Sequence, residues 1–239
     1  MPDNLDATAR DLGLALTAEQ LDRLRAYRDL LDVSSREFNL TSLRDADLIE
    51  RRHIVESLAY GVLLQRNGLL EGSPRVVDIG TGAGLPGLPL RIVWPDIDLV
   101  LLESVGKKCR FLEDVVDRLG LARVEVVEGR AEDFGRDPAR REAFDLVVAR
   151  AVAPLPVLLE YAIPLLRTGG HLAATKGSAA ITEIDASAGA LETLGGRLVD
   201  NAPFQPPEGM ALTVVIVEKT ARTPPQYPRR PGIPTKRPL

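Results

Sequence analysis

Twelve consecutive residues constrain this chain more than any others: Val76-Val77-Asp78-Ile79-Gly80-Thr81-Gly82-Ala83-Gly84-Leu85-Pro86-Gly87. An apolar run leads into closely spaced glycines, and apolar residues at helical spacing follow. That order reads as a strand, a tight turn and the start of a helix. Glycine permits the turn and lets the backbone approach a ligand closely. Pro86 suits a first helical turn, where its missing N–H is no loss.

Two ligand classes fit such a loop. Gly82 to Gly87 match the dinucleotide pattern G-x-G-x-x-G, and Glu103 lies near the spacing of a ribose-binding carboxylate. Asp78 favours the other class. A dinucleotide places its pyrophosphate at the helix N-terminus, and an acidic residue just before the glycines would repel it. Asp78 suits a ligand with an amino acid end and a sulfonium centre, S-adenosylmethionine. Glu103 would then accept the ribose hydroxyls, and Ala131 and Glu132, after the third strand, would face the adenine. A NAD-dependent oxidoreductase remains a competing reading, as does a cofactor-binding protein without catalysis.

Around the loop, apolar strands are predicted at residues 75–79, 99–102, 124–127, 144–149, 171–175, 197–199 and 212–217. Helices are predicted at 85–93, 105–119, 154–166 and 181–194, with at most a short one within 131–142. Strands spaced by helical crossovers argue a parallel sheet covered on both faces. The last two strands are joined by a loop at 201–210, so they pair antiparallel. The expected fold is α/β: a doubly wound seven-strand sheet of five parallel strands plus an antiparallel closing pair.

Residues 1–70 read as an N-terminal helical segment. Thr17 is an N-cap, with Leu21, Leu24, Leu30 and Leu31 on one face, and a second helix starts near Asp45 or Asp47. A polar break, Phe38-Asn39-Leu40-Thr41-Ser42, lies between them. Residues 71–220 form the catalytic domain, and 221–239 a basic proline-rich tail. With no run of 18 apolar residues a membrane span is not expected. Cys109 stands alone, which precludes an intramolecular disulfide and points to a reducing cytoplasm. One cysteine and two histidines also argue against a zinc site.

The net charge of −4 hides an asymmetry. From Lys219 onward there are six basic residues and no acidic one, so the preceding body carries −10. A net-acidic enzyme acting on a polyanion needs local positive surface. The candidates are Arg51, Arg52 and His53 on the second helix, Lys107 and Lys108 after the second strand, Lys176 after the fifth, and Arg229, Arg230, Lys236 and Arg237 in the tail. The prolines should keep that tail extended, so that it follows a groove or lies across the body near the active site, and cutting after Thr220 should leave cofactor binding nearly intact.

These features resemble the bacterial 16S ribosomal RNA guanine-N7 methyltransferases, the RsmG or GidB family. The resemblance rests on six blocks. They are Phe38 to Ser42; Arg52-His53-Ile54 with Ser57; Asp78 to Leu90; Leu101-Leu102-Glu103-Ser104 with Gly106-Lys107-Lys108; Ala149-Arg150-Ala151; and Tyr227-Pro228-Arg229-Arg230-Pro231-Gly232 with Lys236 to Leu239. It implies a cytoplasmic enzyme, expected to be a monomer, that acts on 16S ribosomal RNA or the 30S subunit. Gly80 and Leu85 would line the cofactor, with Gly82 and Gly84 in the same loop. Glu103, Ala131 and Glu132 would hold the adenosine, and Arg150 would lie beside the methionine end or the target. The chain departs from the family pattern at Ala83 (frequently proline), Glu103 and Glu56 (frequently aspartate) and Ala149 (frequently serine).

The residues agree with N7 chemistry by what they lack. Pyrimidine C5 methylation needs a cysteine nucleophile, and Cys109 falls inside a predicted helix. The Asn/Asp-Pro-Pro-aromatic segment of exocyclic amine methylases is replaced by Ala149-Arg150-Ala151-Val152-Ala153-Pro154. Guanine N7 has an in-plane lone pair and no proton to lose. It needs alignment and no general base.

Overall fold

A computed structural model describes residues 5–38, 40, 43 and 45–239. Most of the predicted polar break from Phe38 to Ser42 lies outside the described residues.

The N-terminal helices are α1 (Leu5–Asp11), α2 (Ala18–Phe38), α3 (Ala46–Ile49) and α4 (Val55–Arg66). Thr17 caps α2 as predicted, and reciprocally: Gln20 N–H donates to Thr17 Oγ1 at 3.2 Å and Thr17 N–H to Gln20 Oε1 at 2.9 Å. Asp45 caps α3, accepting from Leu48 N–H at 2.9 Å. The sequence reads one continuous second helix. The structure instead inserts a π-helical turn, Glu50–Ile54, between α3 and α4. Such turns are rare and recur at functional sites, and this one carries Arg51, Arg52 and His53.

The body follows as β1 (Arg75–Ile79), α5 (Gly87–Val93), β2 (Asp98–Glu103), α6 (Gly106–Arg118), β3 (Val124–Glu128), α7 (Ala131–Phe134), β4 (Phe144–Arg150), α8 (Leu155–Ala162), β5 (Leu166–Lys176), α9 (Ala180–Asp185), α10 (Ala188–Leu194), β6 (Gly196–Phe204) and β7 (Leu212–Lys219). Sheet order is β3-β2-β1-β4-β5-β7-β6. The first five strands pair parallel, and β7 runs antiparallel to both β5 and β6. The chain winds outward from β1 in one direction and from β4 in the other, so the carboxyl ends of β1 and β4 flank the switch point where such sheets bind ligands.

Alternation along each strand divides the core into two layers. Val76, Leu99 and Leu101 face the side covered by α2, α4, α5 and α6. Val77, Val100 and Leu102 face the side covered by α8 and α10. The N-terminal helices share the first layer, so they pack on the body.

Three boundaries depart from expectation for identifiable reasons. The helix predicted from residue 85 opens two residues later, at Gly87, whose N–H is held by Asp78 Oδ2 at 2.9 Å. The predicted helix over 181–194 is two, with Ser187 between them donating its hydroxyl to Glu183 O at 2.6 Å. Strand β6 runs on to Phe204 through Pro203, which an edge strand tolerates.

The tail lies across the body near the cavity, one of the two courses expected of it. Its last helix, α11 (Ile233–Lys236), has Pro234 in the first turn, where proline is accepted. Arg229 forks onto Glu160 of α8, which is 0% exposed. Arg141 donates to the carbonyls of Thr223, Pro224 and Tyr227, and Tyr227 and Leu239 pack on the second core layer.

Candidate active site

Asp78 organises the glycine loop from inside. It is fully buried at the end of β1. Its Oδ2 accepts from Thr81 Oγ1 at 2.7 Å and from Gly87 N–H at 2.9 Å, and its Oδ1 has no hydrogen-bond partner. A Cβ at Gly87 would stand 2.7 Å from Leu101 and 2.9 Å from Asp78 Oδ2, so only glycine lets α5 start this close to the strand. Gly80 needs its glycine for conformation, with φ at +62°. From the other side, Tyr27 of α2 donates its hydroxyl to Ala83 O at 2.8 Å.

Burial pushes the Asp78 carboxyl up to about 7, against the Thr81 and Gly87 donors and Arg150, which pull it down. Folded Asp78 therefore holds its proton to higher pH than unfolded Asp78. Stability from this group is present below the unfolded value near 3.8 and falls as pH rises toward about 7. Urea unfolding at a series of pH values should show that decline for the wild type. Asp78→Asn keeps an acceptor for both donors and should flatten the profile. An unchanged pH profile in that variant would remove Asp78 as its cause.

Glu103, at the end of β2, is 5% exposed. Its carboxylate accepts backbone N–H groups from Gly82 at 3.0 Å, Ser104 at 2.8 Å and Val105 at 3.0 Å. It thus ties the loop after β1 to the loop after β2. Gly84 N–H closes the turn onto Thr81 O at 2.9 Å. Leu85, expected to line the cofactor, is buried and packs in the first core layer.

A cavity of about 340 Å³ opens over the carboxyl ends of β1, β2 and β3. Of the expected residues, Gly80, Ala131 and Glu132 line it, together with Ser104, Val152 and Tyr161. Its place, its small residues and the carboxylates beside it fit the adenosine end of S-adenosylmethionine. A larger cavity of about 710 Å³ adjoins it and shares Val152, Ala153 and Pro154 as a common wall. Arg52, His53 and Arg150 line it, with Glu56, Met210 and Leu212.

Arg150 ends β4 beside this shared wall. Its guanidinium donates to Glu56 Oε1 at 3.2 Å and lies 3.5 Å from His53 Nδ1. Burial first, and then the Arg150 charge, push His53 down to about 4, so it is neutral at pH 7. The next residue, Ala151, sits at φ +56°, a conformation that costs a residue with a side chain roughly 1–2 kcal/mol. Strain of this kind collects at functional loops.

The predicted cations divide. Arg52, Lys107, Arg230, Lys236 and Arg237 are exposed. Arg51 pairs with Glu208 at 3.1 Å, and Lys108 lies 3.8 Å from Glu103. Two expectations need correction. Lys176 is 8% exposed and holds Glu183 at 2.9 Å and the Ala153 carbonyl, so it shapes the cavity wall. Arg229 has its guanidinium on buried Glu160 and serves to dock the tail. Cys109 is buried on α6 with its thiol toward Glu103 O, and burial pushes that thiol up. It is no nucleophile.

Sequence reasoning missed Tyr161, Thr235, Glu183, Glu208 and Met210. They come from elements distant in the chain and carry no motif. Ala151 to Pro154 carry a signal of their own, their place directly after the strand-ending Arg150.

The family described as rRNA small subunit methyltransferase G matches residues 20–204. A protein of Desulfitobacterium hafniense named ribosomal RNA small subunit methyltransferase G is 44% identical over 97% of this chain and 95% of its own. Its namesake in Roseiflexus castenholzii is 43% identical over 99% of both. Among solved structures, a branched-chain polyamine synthase from Thermus thermophilus superposes with TM-score 0.55 at 18% identity, covering 71% of this chain and 57% of that one. A predicted O-methyltransferase from Agrobacterium tumefaciens gives 0.50 at 22% identity, over 64% and 77%. These two likenesses concern the fold. Among the described residues no helix is long and apolar enough to cross a membrane. With family, fold and loop geometry in agreement, the chain belongs to the rRNA small subunit methyltransferase G family and is an S-adenosylmethionine-dependent ribosomal RNA methyltransferase.

Proposed function

We propose that the enzyme methylates N7 of a guanine in the 16S RNA of the small ribosomal subunit. The observation that carries this reading is the wall shared by the two cavities. One cavity suits an adenosine, and the other is large enough for a base turned out of its stack. Bound S-adenosylmethionine supplies an electrophilic methyl group. The chain's own residues then have a positioning task. Arg150, held by Glu56, provides a donor at the large cavity for a base acceptor such as O6. His53, neutral at pH 7, adds no further positive charge beside a base that becomes cationic on methylation. Glu56 supplies a counter-charge. Met210 and Leu212 offer apolar surface to the base plane.

Asp78, Gly80, Gly82, Gly84, Leu85, Glu103, Ala131, Glu132 and Arg150 are the proposed cofactor set. Gly82, Gly84 and Glu103 act by shaping the loop, while Gly80, Ala131 and Glu132 line the cavity itself. Arg52, Lys107, Arg230, Lys236 and Arg237 are the proposed phosphate contacts, and binding through them should weaken as salt rises. We further propose that the enzyme is cytoplasmic and monomeric.

The test uses 30S subunits from a strain lacking this protein and S-adenosylmethionine with a labelled methyl group. The expected result is one label per 16S RNA, on a guanine whose glycosidic bond becomes labile to reduction and aniline, as N7 alkylation requires. Label on an exocyclic amine, a ribose or the large-subunit RNA would overturn the reading.

A further inference from the structure

We propose that the C-terminal tail, at Thr235 of α11, builds the outer wall of the adenosine site, so that cofactor binding and tail docking reinforce each other. This rests on the methyltransferase assignment above. The family match ends at residue 204, well before this segment.

The geometry points to it in three ways. First, Thr235 and Tyr161 line the cavity over β1, β2 and β3 together, and their hydroxyls are 3.1 Å apart. Second, the tail is fastened to the cavity wall itself. Glu132, 2% exposed and at the cavity, accepts the Gly232 N–H at 2.9 Å. Third, the fastening continues one residue from Tyr161. Glu160 accepts the Arg229 N–H at 2.7 Å as well as its guanidinium, which also holds the Arg237 carbonyl at 2.8 Å. The tail therefore closes on both sides of Thr235 and sets where that side chain stands.

A ligand filling this cavity touches Thr235 and Tyr161 along with the strand ends. It gains the Thr235 contact only while the tail is docked. By linkage, whatever the docked tail adds to cofactor affinity, the cofactor returns as tail stability. Two hydroxyls, one on each side of a shared hydrogen bond, suit the polar edge of an adenosine.

Two measurements on the full chain test this, with S-adenosylhomocysteine as the probe. In hydrogen exchange, the backbone amides of residues 232–237 should slow at least several-fold when the probe is added to the wild type. In calorimetry, Thr235→Trp should weaken the probe at least tenfold, because the indole fills the cavity from an exposed position. Tyr161→Phe, which removes only the hydroxyl bonded to Thr235, should weaken it less. Tail amides unaffected by bound probe would overturn the proposal even if Thr235→Trp failed to fold. Wild-type affinity in a folded Thr235→Trp would overturn it too. A wild type that bound no probe at all would instead overturn the cofactor assignment on which the proposal stands.

Discussion

Arg150→Ala should slow methyl transfer to 30S subunits by about 100-fold or more, the scale of misplacing reacting groups by an ångström. Arg150 sits at the end of β4, beside the wall shared by the two cavities, and its guanidinium is held by Glu56. Its partner Glu56 is only 16% exposed, so losing the pair should also cost some stability, and the variant's fold has to be read beside its rate. Glu56→Gln keeps a carbonyl acceptor for Arg150 and should cost much less than Arg150→Ala. Initial rates with labelled cofactor, read beside circular dichroism, check both. Wild-type turnover in a folded Arg150→Ala enzyme would take Arg150 out of the site. A loss of rate matched by equal loss of fold would make its role structural.

Arg229→Ala should lower the unfolding free energy by about 3–5 kcal/mol, the usual consequence of stranding one member of a buried ion pair. Glu160 is 0% exposed, and Arg229 reaches it with a two-pronged guanidinium and with its own backbone N–H. Alanine would leave the carboxylate with the N–H alone. Arg229→Lys should recover only part of the loss, since an ammonium cannot reproduce the planar fork. Urea unfolding measures this directly. The contrast with the sequence reading is sharp, because a phosphate-binding Arg229 would change the salt dependence of RNA binding and leave stability alone. A stability change under about 1 kcal/mol, the ordinary scale of an exposed pair, would restore that reading.

Expectations for the tail change accordingly. From the sequence alone, cutting after Thr220 should spare the cofactor site, because both closing strands end before it. The structure places Gly232 on Glu132 and Thr235 in the cavity wall, so that cut would remove part of the wall.

The amino-acid sequence by itself determined the sheet, its winding and the loop at its centre. Those rest on local signals: apolar runs of strand length, helical spacing between them, and glycines where the chain must turn tightly. Asp78 and Glu103 were legible for the same reason, as acidic residues at strand ends beside glycines. Their partners were not legible. That Glu103 holds Gly82, or Asp78 holds Gly87, depends on how closely two loops approach. The cations show the division most clearly. A sequence displays that Lys176 and Arg229 are charged, but not that Glu183 and Glu160 meet them. Arg229 and Glu160 lie 69 residues apart, and their meeting follows from how the tail packs across α8. Tertiary structure alone decided which charges face solvent and which are held inside. It also brought Tyr161 and Thr235 to one cavity, because a wall built from several elements has no period along the chain.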